Sequence, residues 1–344
     1  MGGRVWEDRE PVEAGMGKDI KRGGVHRMNI QIVGVGALNI DHIYKVASIL
    51  DDGEAVVEAA EVFPGGSAAN TIYGLGKLGI GAGFCGAVGD DAEGTILLRD
   101  FEGVGVDTGR IKIKPKATTG SVICLSDGKG KRSLYVLPGA NNLLNIKDIE
   151  PGYINGAKIL HLSSFAGDKQ FRMSLELVEK LDDSVRLSFA PGALYTAKGL
   201  QALAPLLRRT HLLFINQDEI KQLTGDGVIR GAAKCLQTGC RGVVVTLGKG
   251  ARIKNTTASG YIRDAKNEYI IEAGEAEGKD TTGAGDAFAA GFLYGVVNNK
   301  DLEECGRLGD ITARLSISKT GARQGLPALN ELARRYRQLY DKEL

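Results

Sequence analysis

A run of small residues followed by a carboxylate is the segment of the chain best suited to chemistry. Residues 279–295 read KDTTGAGDAFAAGFLYG, so Gly283, Ala284 and Gly285 lead into Asp286 at the predicted start of an apolar helix. Glycines permit a tight turn with exposed N–H groups, and a helix N-terminus adds partial positive charge, so the segment can bind an anion. Asp286 would repel a bound phosphate, but it could take a proton from an attacking hydroxyl as a general base. The pattern predicts phosphoryl transfer, although it is also compatible with a capped, closely packed helix.

A second pair of glycines precedes another predicted helix. Residues 64–70 read PGGSAAN, which places Gly65 and Gly66 five and four residues before Asn70. The two glycines allow a ligand to approach the backbone closely, and the Asn70 amide can both donate and accept hydrogen bonds. The segment is therefore a candidate substrate-binding loop.

Two polar residues follow the first predicted strand, residues 29–38. Asn39 and Asp41 lie just past its carboxyl end, where open α/β sheets bind ligands, although a capped turn would use the same residues. Gly34 and Gly36 in this strand suggest a dinucleotide fingerprint, but the third glycine and the following helix are missing, so that motif is rejected.

Two further segments follow predicted strands and could bind the other partner of a transfer reaction. Asn216 and Glu219 belong to the run NQDE, whose oxygen atoms suit Mg²⁺, and Asn216 is equally suited to capping a helix. Thr246, Gly248 and Gly250 belong to the run TLGKG, whose hydroxyl, glycines and lysine suit phosphate contact. Taken alone, the second run is better explained as a β-turn with a solvated lysine.

The elements that must position these residues have an alternating pattern. From residue 155 onward, predicted strands and helices alternate, which is typical of an α/β fold with a doubly wound, mainly parallel sheet flanked by helices. Two predicted strand pairs, at about residues 41–64 and 117–137, lie outside this pattern and predict a small antiparallel sheet able to close as a lid. Residues 1–28 are polar and glycine-rich and are predicted to be a disordered extension, which leaves residues 29–344 as the folded domain.

Composition excludes several classes of function. Lys and Arg number 44 against 42 Asp and Glu, a net charge of +2 that argues against a nucleic-acid or membrane-surface binder. The five cysteines include no Cys-x-x-Cys pair, which predicts reduced, buried thiols in a cytoplasmic protein. The four histidines lack the spacing of zinc ligands, and no apolar run reaches membrane-spanning length.

Taken together, these segments resemble the ribokinase (PfkB) family of carbohydrate and nucleoside kinases, over roughly residues 29–340. Segment 65–70 resembles the family's Gly-Gly-x-x-x-Asn substrate motif, and segment 280–286 resembles its anion hole and catalytic aspartate. Segment 216–219 is similar to its Asn-x-x-Glu element, which acts on magnesium and phosphate, and segment 246–248 is similar to its nucleotide-binding turn.

The resemblance implies a Rossmann-like domain with a β-sheet lid and an ATP-dependent kinase acting on a primary hydroxyl. Asp286 would be the general base, and Gly283, Ala284 and Gly285 would form the anion hole. Glu219 would act on Mg²⁺ through water. The acceptor would be bound by Asn39, Asp41, Gly65, Gly66 and Asn70. The nucleotide would be bound by Asn216, Thr246, Gly248, Gly250, Gly283 and Gly285.

The resemblance also implies a monovalent-cation site and an assembly. Asp280 and Thr282 match residues around a site that often holds K⁺. Backbone carbonyls near Ser316, Lys319, Gly321 and Gly325 would complete it, and Gly325 stands where some relatives have a side-chain ligand. Asp310 falls near a position that often carries His or Asn beside the adenine. Lid strands often pair between protomers, which favours a homodimer that covers the edges and apolar face of the small sheet.

The acceptor alcohol is left open between a sugar and a nucleoside. A nucleoside would need an aromatic ring against its base, and Tyr44, Phe63 and Tyr135 lie in or near the lid, where aromatic residues also serve packing. Lys131 and Arg132 could reach a phosphorylated sugar. A non-catalytic sugar- or nucleotide-binding regulator on the same fold is the alternative of another class, and a hydrolase ranks last because no Gly-x-Ser-x-Gly elbow is present.

Overall fold

We describe the protein from a computed structural model, which covers residues 29–127, 132–274, 278 and 280–344. The predicted N-terminal extension (1–28), the turn at residues 128–131 and Lys279 lie outside the described residues. Strands form two separate sheets, one of nine strands and one of four. In chain order the strands are β1 (Ile32–Val35), β2 (Asn39–Val46), β3 (Val57–Gly65), β4 (Ala82–Gly89), β5 (Asp107–Lys114), β6 (Gly120–Asp127), β7 (Arg132–Leu137), β8 (Ile159–Ser163), β9 (Arg186–Ala190), β10 (Thr210–Asn216), β11 (Gly242–Ile253), β12 (Thr256–Asp264) and β13 (Glu268–Glu272).

Helices connect these strands and cover both faces of the larger sheet. They are α1 (Ser67–Lys77), α2 (Ala92–Glu102), α3 (Pro151–Asn155), α4 (Asp168–Glu179), α5 (Gly192–Thr196), α6 (Gly199–Arg209), α7 (Gln217–Thr224), α8 (Val228–Gln237), α9 (Ala284–Val297), α10 (Leu302–Ser316) and α11 (Leu329–Tyr340). Short 3₁₀ turns lie at Gly139–Leu143 and Ile146–Asp148.

The larger sheet is mainly parallel, as the alternating sequence pattern predicts. Its order is β13-β12-β11-β10-β9-β8-β1-β4-β5, and all neighbours from β11 to β5 run parallel, while β12 and β13 run antiparallel at one edge. The chain proceeds from β1 towards β5 in one direction and from β8 towards β13 in the other. The order therefore reverses between β1 and β8, and open α/β sheets bind ligands outside the carboxyl ends of the strands at such a point.

The smaller sheet has the order β3-β2-β6-β7 and lies outside the main sheet. Its outer pairs are antiparallel as expected, but its central pair, β2 with β6, runs parallel. The physical reason is topological, because β2 continues from β1 and β6 follows β5, and β1 and β5 both run towards the same edge of the main sheet. Both outer strands expose apolar side chains to solvent: Val57, Val62, Leu134, Tyr135, Val136 and Leu137.

Two apolar clusters pack on opposite faces of the main sheet. One contains Phe189, Tyr195 and Leu207, and the other contains Phe84 and Phe292. Helix α9 is apolar on all sides and is almost entirely buried, which follows from its sequence of alanines, glycines and aromatic residues. The start of this helix is thereby held against the sheet.

The cysteines are all buried, which confirms the expectation of buried thiols. Cys124 lies in the smaller sheet, and Cys85, Cys235, Cys240 and Cys305 lie in the main body. None of the helices in the described part of the chain is both long enough and apolar enough to cross a membrane.

Candidate active site

The N-terminus of α9 offers room for an anion. Gly283 has φ +74° and precedes the helix, and a Cβ at this position would lie 2.5 Å from that of Ala322, so only glycine fits here. No side chain of the described residues caps the helix. Gly285 is exposed, and a Cβ built on it would meet nothing within 4 Å. The Ala284 N–H donates to the Thr281 carbonyl at 3.2 Å, so the N–H groups of Gly283 and Gly285 beside the open space are the ones suited to bind an anion, as the sequence predicts.

Asp286 lies in the first turn of α9 and contacts the other glycine loop. Its Oδ1 accepts a hydrogen bond from the Ser67 hydroxyl at 2.7 Å, and its Oδ2 accepts one from the Asn70 Nδ2 amide at 2.9 Å. Burial raises the pKa of Asp286 to about 7, against the hydrogen bonds from Asn70 and Ser67, which lower it. A carboxyl group with this pKa exchanges a proton near neutral pH, as a general base must.

The loop before α1 is tightly packed around two glycines. Gly66 has φ +98°, and a Cβ there would lie 2.2 Å from the carbonyl oxygen of Ala37. A Cβ on Gly65 would lie 2.3 Å from a carboxylate oxygen of Asp41. The loop can therefore bring its backbone against Asp41 and the end of β1 only without side chains at these two positions.

Asp41 lies beside this loop on β2. It has no hydrogen-bond partner within the described part of the chain, and burial raises its pKa to about 6, while the nearby charges of Arg323 and His42 lower it. A half-buried carboxylate without a hydrogen-bond donor is suited to accept hydrogen bonds from the hydroxyls of a ligand.

Asn39 also lies on β2, two residues earlier and on the same face. Both residues follow the first strand, β1, as predicted, and the alternative of a capped turn is wrong, because both belong to a strand of the smaller sheet. Asn39 is 8% exposed, and its Oδ1 accepts a hydrogen bond from Asn141 Nδ2 at 3.0 Å. Asn141 also bonds the backbone N–H and carbonyl of Leu38, so it fixes where β1 ends and β2 begins.

Asn216 and Glu219 form a capping box at the start of α7. The Asn216 side chain accepts from the N–H groups of Asp218 and Glu219, and the Asn216 N–H donates to Glu219 Oε2 at 3.0 Å. The alternative interpretation of Asn216, as a helix cap, is therefore confirmed. The charge of Glu219 nevertheless contributes to the raised pKa of Asp286, after the larger effect of burial.

Thr246 pairs with Asn216 across β10 and β11, so these two predicted nucleotide contacts are neighbours. The expectation that Thr246, Gly248 and Gly250 form a turn after a strand is wrong, because β11 continues to Ile253. The register with β12 shifts between Thr246 and Ala251, and Gly248 and Gly250 have φ +60° and +111°. The segment is a bulge within a strand, made possible by the two glycines.

The predicted cation-site residues lie between the start of α9 and the loop after α10. Asp280 Oδ1 accepts from the Thr282 N–H and hydroxyl, and its Oδ2 accepts from the Gly321 N–H at 3.0 Å. A Cβ on Gly325 would lie 2.1 Å from the Ser316 carbonyl oxygen, so this backbone has no space for a side-chain ligand at position 325. These residues could hold K⁺ only with backbone carbonyl oxygens and the Asp280–Thr282 segment.

Asp310 lies on α10 and is bound within the protein. The hydroxyl of Ser259 donates to its Oδ1 at 2.6 Å, and Arg314 Nε lies 2.8 Å from its Oδ2. Burial raises its pKa, and Ser259 and Arg314 oppose that shift. These contacts occupy both oxygens of the residue expected near the adenine.

Sequence reasoning missed three residues of the site: Ser67, Asn141 and Arg323. Ser67 was inside the matched glycine motif, so its position at the helix start was a usable signal. Asn141 and Arg323 are distant in sequence from the site residues they contact, so no local sequence signal pointed to them. Of the lid residues considered for ligand contact, Tyr135 is 57% exposed, and Lys131 and the side chain of Arg132 lie outside the described residues.

Comparison with known proteins agrees with this geometry. A family model described as pfkB family carbohydrate kinase matches residues 29–329. The chain is 37% identical over 257 residues to a protein of Archaeoglobus fulgidus described as an uncharacterized sugar kinase, covering 74% of this chain and 98% of that protein. It is 26% identical over 314 residues to a nucleoside kinase of Methanocaldococcus jannaschii, covering 89% and 96% respectively.

A solved structure has the same fold. The ribokinase of Thermotoga maritima superposes with a TM-score of 0.76 at 25% identity, covering 88% of this chain and 98% of the ribokinase. The chain therefore belongs to the PfkB family of carbohydrate kinases, which are phosphotransferases with an alcohol group as acceptor.

Proposed function

We propose that the protein transfers the γ-phosphoryl group of ATP to a primary hydroxyl of a sugar or nucleoside, with Asp286 as the general base. The observation that carries this proposal is the position of Asp286, in the first turn of a helix without a side-chain cap and hydrogen-bonded to Ser67 and Asn70 of the first turn of α1. The helix N-terminus on one side of the carboxylate is suited to bind a phosphate. The facing segment with Ser67 and Asn70 is suited to bind an alcohol.

In the proposed reaction the acceptor hydroxyl loses its proton to Asp286 while its oxygen forms a bond to the γ-phosphorus. The bond from that phosphorus to the bridging oxygen breaks, and ADP leaves. N–H groups of Gly283 and Gly285 stabilise the negative charge on the group in transfer, and the N–H of Ala284 joins them if it leaves the Thr281 carbonyl. Asp41, Gly65 and Asn70 orient the acceptor, and Asn39 supports the strand on which Asp41 lies.

The donor side would be formed by Asn216, Thr246, Gly248 and Gly250 together with the N-terminus of α9. Mg²⁺ would neutralise charge on the phosphates, and Glu219 would hold it through water, since Mg²⁺ keeps several of its waters in such sites. The contribution of the Glu219 charge to the raised pKa of Asp286 supports this role. For K⁺, we propose a site at Asp280 and Thr282 that relies on backbone carbonyls.

The acceptor is proposed to carry a ring with adjacent hydroxyls. Asp41 has no hydrogen-bond partner among the described residues and supplies acceptor oxygens, while Asn70 supplies a donor group, a combination that recognises hydroxyl pairs. A nucleoside is the alternative acceptor, and exposed Tyr135 on the smaller sheet is the residue that favours it.

Two further properties belong to this proposal. We propose a homodimer in which the smaller sheets of two copies cover each other, because the outer strands β3 and β7 expose apolar side chains and have open edges. We also propose a cytoplasmic location, which suits an ATP donor and five buried thiols.

A panel of pentoses, hexoses and nucleosides, each incubated with Mg²⁺-ATP, tests the function directly. We expect one class of compound to release ADP well above the rate without acceptor, and mass spectrometry should find one added phosphate on that compound. Binding of the compounds without any turnover, followed by calorimetry, would contradict the kinase proposal and favour the non-catalytic regulator.

A further inference from the structure

Arg323 is a buried charge beside the candidate site. It lies in the loop between α10 and α11, and only 2% of it is exposed. Its guanidinium carbon lies 5.1 Å from the ring centre of Tyr73 and 5.2 Å from that of Phe101. Burying a cation costs free energy unless it is fully paired. The contacts of Arg323 therefore indicate which groups its guanidinium positions.

Three different elements receive hydrogen bonds from this one guanidinium. Nη1 donates to Asp100 Oδ2 of α2 at 2.6 Å, and Nη2 donates to the Gly65 carbonyl at the end of β3 at 3.1 Å. Nε donates to Asn70 Oδ1 of α1 at 2.9 Å. Arginine can bind all three because its donors are arranged as a rigid planar fork, which lysine lacks.

The bond to Asn70 fixes which way that amide points. Arginine only donates hydrogen bonds, so the atom of Asn70 that faces Arg323 must be the oxygen. The Nδ2 group is then directed to Asp286 Oδ2. With the amide reversed, the carbonyl oxygen of Asn70 would face the carboxylate and its NH₂ group would face the guanidinium, and both contacts would be repulsive.

We propose that Arg323 is a positioning residue for the general base, acting through Asn70 by holding its amide with Nδ2 towards Asp286. This proposal rests on the proposed role of Asp286. The second N–H of the Asn70 Nδ2 group is then the one directed to the acceptor, so the acceptor atom beside Asn70 must accept a hydrogen bond. Arg323 itself touches neither the acceptor nor the reacting atoms.

The electrostatics of the cluster agree with this arrangement. Burial raises the pKa of Asp286, the hydrogen bonds from Asn70 and Ser67 lower it, and of the nearby charges Glu219 raises it and Arg323 lowers it. Burial lowers the pKa of Arg323, and Asp100 opposes that shift. Loss of the Arg323 fork should therefore weaken the Asn70 bond and raise the pKa of the base.

A double-mutant cycle tests the proposal with Arg323→Lys, which keeps the charge, and Asn70→Ala. We expect Arg323→Lys to lower kcat on the order of 10-fold and to shift the acidic limb of the pH profile upward by roughly half a unit to one unit. If Arg323 acts through Asn70, the double variant should lose no more activity than Asn70→Ala alone. Losses that multiply would overturn the proposal.

Two controls separate the possible causes. Arg307→Met removes an arginine that pairs with Glu303 and lies over the ring of Tyr340, remote from the site, and we expect an unchanged pH profile. Asp100→Asn removes the counter-charge of Arg323 but keeps the Asn70 bond. This variant should reduce stability without shifting the acidic limb of the pH profile upward. An upward shift equal to that of Arg323→Lys would assign Arg323 a purely structural role.

Carboxyl-carbon NMR titration supplies a measurement that needs no turnover. The Asp286 signal is identified by its loss in Asp286→Asn, and its pKa should be higher in Arg323→Lys than in the wild type. An unchanged titration overturns the positioning role even where the function stands. Full activity of Asp286→Asn would instead overturn the proposed function, so the two failures are distinguishable.

Discussion

The proposed acceptor side and the proposed donor side of the candidate site are built differently. On the acceptor side, Asp286, Asn70 and Arg323 form a chain of side-chain hydrogen bonds that continues to Asp100. On the donor side, Asn216 and Glu219 cap their own helix, and the remaining contacts are Thr246, glycines and backbone. The acceptor side is thus fixed before any ligand binds, whereas the donor side offers N–H groups and open space.

This difference follows from what each side must do. A base and an attacking hydroxyl must be aligned closely, so their supports are rigid and buried. Phosphates can be bound by backbone N–H groups and a helix N-terminus, which require small residues and correct backbone angles more than specific side chains. Substitutions should therefore affect the two sides in different ways.

The largest effect is expected for Asp286→Asn on the acceptor side. Asparagine keeps the size and can still accept from Ser67, but it cannot take a proton, so kcat should fall by a factor on the order of 10³ or more. The acceptor dissociation constant, measured by calorimetry, should change little. Turnover near the wild-type level would remove Asp286 from its proposed role.

Gly66→Ala should damage the acceptor loop through the backbone. Gly66 has φ +98°, and the new Cβ would lie 2.2 Å from the Ala37 carbonyl oxygen, so we expect a loss of roughly 3 kcal/mol in unfolding free energy and weaker acceptor binding. Gly79→Ala is the matched control, because Gly79 has φ +79° with nothing within 4 Å of its Cβ. This control should lose only roughly 1–2 kcal/mol in unfolding free energy and keep its activity. Equal losses would show that steric contact at Gly66 is unimportant.

Glu219→Gln tests the donor side with the capping box retained. Glutamine can still bond the Asn216 N–H, so the melting temperature should change little. The charge is lost, and we expect kcat at low Mg²⁺ to fall on the order of 10-fold to 100-fold, with partial recovery as Mg²⁺ is raised. An activity that does not depend on Glu219 at any Mg²⁺ concentration would assign it to capping alone.

The pH dependence should report the burial of Asp286. The base must be ionised, so kcat should fall as the pH drops below about 7, the pKa that burial gives this group. The folded-state pKa is raised above the unfolded value of 3.8, so ionisation of Asp286 lowers stability as the pH rises from about 4 towards 7. Asp286→Asn should consequently gain stability over the wild type at pH 8 and lose that advantage towards pH 4. Denaturant unfolding at several pH values measures the difference in unfolding free energy between the variant and the wild type. A difference that stays constant with pH would contradict the raised pKa of Asp286.

The smallest effect on chemistry is expected at the outer strand of the small sheet. Leu134→Glu places a charge at a side chain that is 63% exposed, and light scattering should find monomers of this variant and the proposed dimer for the wild type. Ile113→Glu on β5 is the control, since Ile113 is 53% exposed on the main sheet. A dimer that survives Leu134→Glu but not Ile113→Glu would place the interface on the main sheet instead.

Much of this architecture could be predicted from local patterns. The alternation of strands and helices predicted the main sheet, and the strings around Asn70 and Asp286 identified two segments that the fold brings together. The TLGKG segment was misjudged because strand β11 continues through a bulge that only the pairing with β12 reveals. Arg323 and Asn141 escaped notice because their partners are distant in sequence, and nothing local distinguishes a buried arginine from a solvated one.

The placement of the five cysteines has a practical consequence. Burial raises the pKa of Cys85, Cys235, Cys240 and Cys305 to about 12, so these four thiols should resist labelling until the main body opens. Cys124 is the one cysteine in the smaller sheet, where it is 7% exposed. The rate at which a thiol reagent modifies each cysteine under native conditions can therefore time the opening of the two sheets separately, without any introduced probe.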